Sequence, residues 1–302
     1  MTRTRLITLA AITAFPVAAC GSQNDSGHAS ASPKVVATTN VWGSVATAVS
    51  GGHADVKSIL TNAAADPHSY EASPADAAAI SDATLVVING GGYDHWADDV
   101  LANHKNVTTV DAYSLLPHSA AGEANEHVFY NMAVAKAVAA KIADDLAGSD
   151  PAHADAYRAN AAEFGKQTDS IAATERAIGQ KHPGAAVVST EPVAHYLLAA
   201  AGVTDSTPHG FAAAAEDGHD PAPADLAAML DLINGHKVDA LVVNKQTETA
   251  VTKQLQEAAN KAALPIVEVT ETLPDGQDFL TWQRQAAEAL AHQLDTASVA
   301  AR

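Results

Sequence analysis

Cysteine is nearly absent from the 302-residue chain: Cys20 stands alone, so no disulfide can form within it. A fold built from this sequence must therefore rest on a packed core. Cations are also few. Seventeen Lys and Arg face 35 Asp and Glu, for a formal net charge of −18. That balance argues against nucleic acid or anionic lipid as a partner. Aromatic residues make up 5% of the chain and arginine is scarce, which leaves little to build the walls and clamps of a site for an organic solute. Beyond the N-terminal segment no run is apolar for long enough to cross a bilayer. Neither His-Glu-x-x-His nor Gly-x-Ser-x-Gly occurs, so the two commonest hydrolytic signatures are missing and no enzyme is expected.

The N-terminus reads as an export signal. Arg3 and Arg5 precede a short apolar stretch over 6–17, and Val17-Ala18-Ala19-Cys20-Gly21 places small residues before the cysteine. Residues 1–19 are expected to be a lipoprotein signal peptide, with Cys20 as the lipidated first residue of the mature chain. Residues 20–33, rich in Ser, Ala, Gly, Asn and Asp, are expected to form a flexible tether. These features predict an extracytoplasmic protein, lipid-anchored to the bacterial cell membrane through Cys20. The remaining length is ample for two lobes.

Strand-like and helix-like runs alternate along the rest. Strands are expected at 34–39, 56–60, 84–89 and 107–110, with helices at 41–49, 74–81 and 94–101 between and after them. The run Thr84-Leu85-Val86-Val87-Ile88-Asn89, closed by three glycines, has the continuous apolar character of a buried parallel strand. Residues 127–146 and 151–181 then carry an Ala-rich helical pattern, broken at Gly148, Asp150 and Pro151. No apolar heptad persists along it, so a stiff connecting helix is preferred to a coiled coil. Alternation resumes with strands at 185–189, 238–244 and 265–269 and helices at 192–201, 223–233, 249–262 and 278–294. The fold class is α/β: two lobes with mostly parallel sheets joined by a long rigid helix. The first lobe spans 34–150, the connecting helix 151–181 and the second lobe 182–302. The polar stretch 208–223, with His209 and His219, is expected on the surface.

In such sheets ligands bind beyond the carboxyl ends of the strands. Four residues fall there: His68 after the second strand, His127 at the opening of the first long helix, Glu191 between a strand and a helix, and Glu271 after the last strand. Singly each has a bland explanation, since the chain has 14 histidines and a glutamate near a helix start is usually a cap. Together two imidazoles and two carboxylates suit Zn²⁺ or Mn²⁺, with Fe²⁺ fitting by the same logic. Hard oxygens are too few for a typical Ca²⁺ cage. His195, one helical turn after Glu191, is expected not to ligate. Glu268 is the in-strand alternative to Glu271.

The motifs around these residues carry a resemblance. Asp66-Pro67-His68-Ser69-Tyr70-Glu71, Asn125-Glu126-His127-Val128-Phe129-Tyr130-Asn131, Thr190-Glu191-Pro192-Val193-Ala194-His195 and Pro265-Ile266-Val267-Glu268-Val269-Thr270-Glu271 occur in the order of four ligand motifs. Those motifs belong to the zinc/manganese substrate-binding lipoproteins of metal ABC importers, which this chain resembles from about residue 34 to 294. The second motif departs from the family pattern, with Glu126 in place of proline and Asn131-Met132 in place of Asp-Pro. The long His-rich acidic loop of many zinc-specific members is missing. The resemblance implies a monomer that captures Zn²⁺ or Mn²⁺ with His68, His127, Glu191 and Glu271, performs no catalysis, and delivers the ion to a membrane permease. The alternatives are a metal-binding adhesin or metallochaperone on the same scaffold, or a secreted metalloenzyme.

Overall fold

A computed structural model describes residues 32–62, 67–117 and 125–300. The expected signal peptide, Cys20 and almost all of the expected tether lie outside these residues. The first lobe comprises β1 (Lys34–Thr39), α1 (Asn40–Ser50), β2 (Asp55–Leu60), α2 (Pro74–Ser81), β3 (Leu85–Ile88), α3 (His95–Leu101) and β4 (Thr108–Asp111). Two long helices follow, α4 (Met132–Ser149) and α5 (Ala154–Lys181). The second lobe opens with β5 (Ala186–Ser189), α6 (His195–Ala200), β6 (Thr204–Asp205), α7 (His209–Glu216) and α8 (Pro223–Asn234). It continues through β7 (Ala240–Asn244), α9 (Ala250–Lys261), β8 (Ile266–Val269) and α10 (Phe279–Ala300).

Each lobe holds a four-stranded parallel sheet, and the two orders match: β2-β1-β3-β4 and β6-β5-β7-β8. The direction in which successive strands are added reverses between β1 and β3 in one and between β5 and β7 in the other, the switch points at which parallel sheets open a crevice. The middles of the central strands are apolar because both faces are covered, and polar residues stand only at strand ends, as at Thr38 and Thr39 of β1, Ser189 of β5 and Asn244 of β7. Side chains alternate across the sheet. Leu85 and Val87 of β3, and Ala240 and Val242 of β7, join one core that continues through α1, α4, α5, α6 and α10. Val86 and Ile88 turn to an outer cluster under α2 and α3. Leu241 and Val243 turn to another, with Phe211, Met229 and Leu255.

The inner core ties the lobes together. Tyr157, Ala161, Phe164, Thr168, Ile171, Glu175 and Ile178 of α5 are buried. Their spacing of four and three is a heptad stripe, though not an apolar one, in keeping with the expectation that no apolar heptad persists. Thr168 and Glu175 interrupt its apolar character, which is why an apolar count misses it. The stripe is used within the chain, against α1, α4 and α10. Phe279 at the head of α10 packs on both Trp42 of α1 and Phe164 of α5, with ring centroids 6.3 and 5.7 Å apart.

One expectation is corrected. His127 does not open the long helix: a 3-10 turn, Val128–Tyr130, intervenes, and α4 begins at Met132. Asn131 sets that start, its Oδ1 accepting from the backbone N–H of Ala133 and Val134 at 3.0 and 3.2 Å. His209 and His219 are exposed, as expected, although their stretch also holds α7, whose Phe211 is buried. Among the described residues no helix is long and apolar enough to cross a membrane.

Candidate metal centre

His68 is carried by a 3-10 turn, Pro67–Ser69, after β2. The motif downstream fixes that turn. Ser73 and Asp76 form a reciprocal capping box with Pro74 in the first turn of α2, and Tyr70 donates to Asp76 Oδ2 at 2.8 Å. The His68 ring lies edge-on to Tyr93, centroids 5.0 Å apart. Tyr93 is brought there by a turn of three consecutive glycines, Gly90 to Gly92, all at positive φ, a backbone that side-chain-bearing residues rarely adopt. A Cβ on Gly91 would lie 2.5 Å from the Tyr113 ring.

His127 is 3% exposed and oriented by Asn125. Asn125 Oδ1 accepts from both the backbone N–H and Nδ1 of His127, each at 2.8 Å. The backbone N–H can only donate, so the acceptor is oxygen, Nδ1 carries the proton, and Nε2 presents its lone pair. That Nε2 is buried without a hydrogen-bond partner. It points at Glu271 Oε2, 3.5 Å away.

Glu271 is 1% exposed. Its Oε2 lies 3.1 Å from His68 Nε2, and its Oε1 accepts from Asn244 Nδ2 at 2.7 Å. Burial pushes this carboxyl up, but the imidazoles of His127 and His68, when protonated toward it, outweigh burial and hold the group below the ordinary glutamate range. Gln246 Oε1 accepts from the backbone N–H of Glu271 at 2.5 Å. Tyr93 donates to the Glu271 carbonyl at 3.4 Å. Burial, with the Glu271 charge next, raises the Tyr93 hydroxyl well above its ordinary value, so it stays a neutral donor.

Glu191 follows β5 and is joined to Glu271 through Asn244, whose Nδ2 also donates to Glu191 Oε2 at 2.5 Å. The second carboxylate oxygen accepts from Thr247 Oγ1. Asn244 is itself oriented, since its Oδ1 accepts from the backbone N–H of Gln246 at 3.1 Å. Burial raises the Glu191 carboxyl, the bonds from Thr247 and Asn244 oppose it, and the Glu271 charge adds to the rise.

His68, His127 and Glu271 thus meet directly, and Glu191 stands beside them across a shared amide. A cavity of about 370 Å³ opens onto His68, His127 and Glu191 from the side of α7 and α9. Among the other candidates, His219 is exposed and lines the outer part of this cavity, whereas His195 and His209 do not line it. Glu268 is exposed and pairs with Lys245 at 2.9 Å. Glu126 lines the same cavity and was not among the expected ligands. One ligating atom each of His68, Glu126 and His127 lies within 4.8 Å of the others. The orienting residues Asn125, Asn244 and Thr247 were also missed. For Asn244 a signal existed: a lone amide ending the wholly apolar run Ala240-Leu241-Val242-Val243.

The donor set is nitrogen and oxygen without thiolate, the chemistry of borderline to hard divalent ions. The family model described as the zinc-uptake complex component A, periplasmic, matches residues 35–293. The chain belongs to this family. The family is named for a component of an uptake complex, not for an enzyme. One relative is the manganese-binding lipoprotein MntA of Halalkalibacterium halodurans, 28% identical over 158 residues, 51% of this chain and 52% of that protein. Another is the iron-binding protein YfeA of Yersinia pestis, 26% identical over 179 residues, 57% of each. In these matches the chain spans about half the length of the curated relatives. The periplasmic zinc-binding protein TroA of Treponema pallidum shares the fold, with a TM-score of 0.74 at 17% identity, covering 87% of this chain and 99% of that one.

Proposed function

We propose that the protein captures one divalent transition ion, Mn²⁺ or Zn²⁺ with Fe²⁺ also accommodated, between its two lobes and delivers it to the membrane permease of an ABC importer. His68 and His127 supply imidazole nitrogen from the first lobe, and Glu191 and Glu271 supply carboxylate oxygen from the second. The observation that carries this reading is the buried, unpartnered Nε2 of His127, aimed at a buried carboxylate while its other ring nitrogen is tied to Asn125. A metal-bound histidine is held in that way. Relatives named for manganese, iron and zinc binding support the class of ion without choosing among its members. The work is binding without bond chemistry, because four protein ligands leave no open position of the catalytic kind. Protons compete with the ion for the imidazoles, so affinity falls on acidification. Export under the signal over 1–19, the lipid anchor at Cys20 and a monomeric state complete the proposal.

The test is metal content by plasma mass spectrometry on untagged protein lacking the leader, with Mn²⁺ and Zn²⁺ titrated into the stripped form. About one ion per chain at submicromolar affinity is expected. Binding of neither ion better than micromolar would overturn the reading.

A further inference from the structure

Four ligands of two nitrogens and two carboxylates make a closed tetrahedral set, which zinc accepts readily. The side chains facing the cavity suggest one ligand more. We infer that Glu126 is a fifth ligand to the cargo ion, a third carboxylate that biases the site toward Mn²⁺ and Fe²⁺ over Zn²⁺. This rests on the metal-capture reading above and concerns the same site.

Three observations carry it. First, ligating atoms of Glu126, His68 and His127 lie within 4.8 Å of one another. A ligand shell drawn onto an ion at about 2.0–2.2 Å needs only a small contraction of that triangle. Second, Glu126 lies on the cavity side and is 24% exposed, whereas Glu271 is 1% exposed, does not line the cavity, and has both oxygens engaged by His68 and Asn244. An ion arriving through the cavity therefore meets Glu126 before Glu271. Third, the backbone that presents Glu126 is fixed. Its carbonyl accepts from Asn89 Nδ2 at 2.8 Å, and the preceding Asn125 exchanges hydrogen bonds with the Tyr196 hydroxyl at 3.2 and 2.8 Å.

A lesser role would have Glu126 only steady His68. Its Oε1 is 3.7 Å from His68 Nδ1, beyond hydrogen-bond range, so that role is not formed here. Direct ligation has a chemical consequence that steadying lacks. A third carboxylate raises both the ligand number and the share of hard oxygen, which favours Mn²⁺ and Fe²⁺ relative to Zn²⁺.

The experiment compares wild type, E126Q and E126D by chelator competition with Mn²⁺ and with Zn²⁺, and by the visible spectrum of the Co²⁺-loaded forms. E126Q is expected to lose Mn²⁺ affinity roughly 100-fold while Zn²⁺ affinity changes by less than about tenfold, the range over which metal sites respond to single groups. Its Co²⁺ bands should intensify as five ligands become four, and E126D should recover part of the Mn²⁺ affinity. Equal losses for both ions with an unchanged Co²⁺ spectrum would overturn the inference and leave Glu126 as a positioning residue for His68. No change in any of the three would overturn it outright while the capture reading stands. A wild type that binds neither ion would remove both.

Discussion

The two lobes repeat one sheet order but treat their strand ends differently. In each, the strand across the switch point is an apolar run followed or closed by a buried asparagine: Leu85-Val86-Val87-Ile88-Asn89 in the first and Ala240-Leu241-Val242-Val243-Asn244 in the second. Asn89 serves the frame. Its amide accepts from Trp42 Nε1 at 3.1 Å and donates to the carbonyls of Gly90 and Glu126. Asn244 serves the site, donating to both Glu191 and Glu271. The first lobe delivers its imidazoles instead on loops after its outer strands β2 and β4. The second lobe ties its acids, which follow β5 and the outer strand β8, to an amide at its switch point, and the first brings nitrogen to them. His127 is locked by a neighbour in sequence, while His68 is more exposed and is met by a carboxylate from the other lobe.

The largest effect should come from removing the acid on which both imidazoles converge. Glu271→Ala is expected to weaken Mn²⁺ and Zn²⁺ binding at least 100-fold, about 3 kcal/mol, by competition titration. A loss smaller than that of His68→Ala would break the division of labour between the lobes.

A second buried glutamate sharpens the contrast. Glu175 in α5 has no imidazole partner, its Oε1 makes no hydrogen bond, and burial, only partly offset by Arg176, lifts its carboxyl to about 7. The folded protein then holds a proton that the unfolded chain releases near its ordinary value. Stability should fall as pH rises between those two values and level off above the higher one. Glu175→Gln, which imitates the protonated form, should flatten that decline and stabilise the protein at pH 8 by about 2–3 kcal/mol in denaturant melts. An unchanged pH profile would show that Glu175 carries no such shift.

The paired asparagines are the finer test. Asn244→Ala should cost ion affinity 10–100-fold, on the order of other residues that orient metal ligands. Asn89→Ala should cost about 1–3 kcal/mol of stability, through an unsatisfied Trp42 N–H and Glu126 carbonyl, with a much smaller loss of affinity. Equal losses of affinity would erase the distinction. The smallest effect is expected at Asn131→Ala, which removes the cap of α4 for about 1 kcal/mol and leaves ion affinity nearly unchanged.

Much of this was legible beforehand, for identifiable reasons. Buried parallel strands are continuous apolar runs, so β3 and β7 were plain, and Pro74 behind Ser73 marked the start of α2. The expected ligands sat at strand ends where parallel sheets open. What stayed hidden depends on contacts distant in sequence. Nothing local says that Asn244 would hold two acids 53 and 27 residues away. Nothing local says that Thr168 and Glu175 would sit in a buried stripe, because their polarity argues the opposite. Glu126 was visible only as a departure from a motif. Its approach to both histidines is a fact of three dimensions.

The most direct test of the central claim is anomalous diffraction from crystals of the Mn²⁺-loaded protein, collected on the low- and high-energy sides of the manganese edge. The expected result is a single peak per chain within about 2.0–2.3 Å of ligating atoms from His68, His127, Glu191 and Glu271. A peak held by residues of one lobe alone, or one lying away from His127 Nε2 and Glu271, would contradict capture between imidazoles of the first lobe and carboxylates of the second.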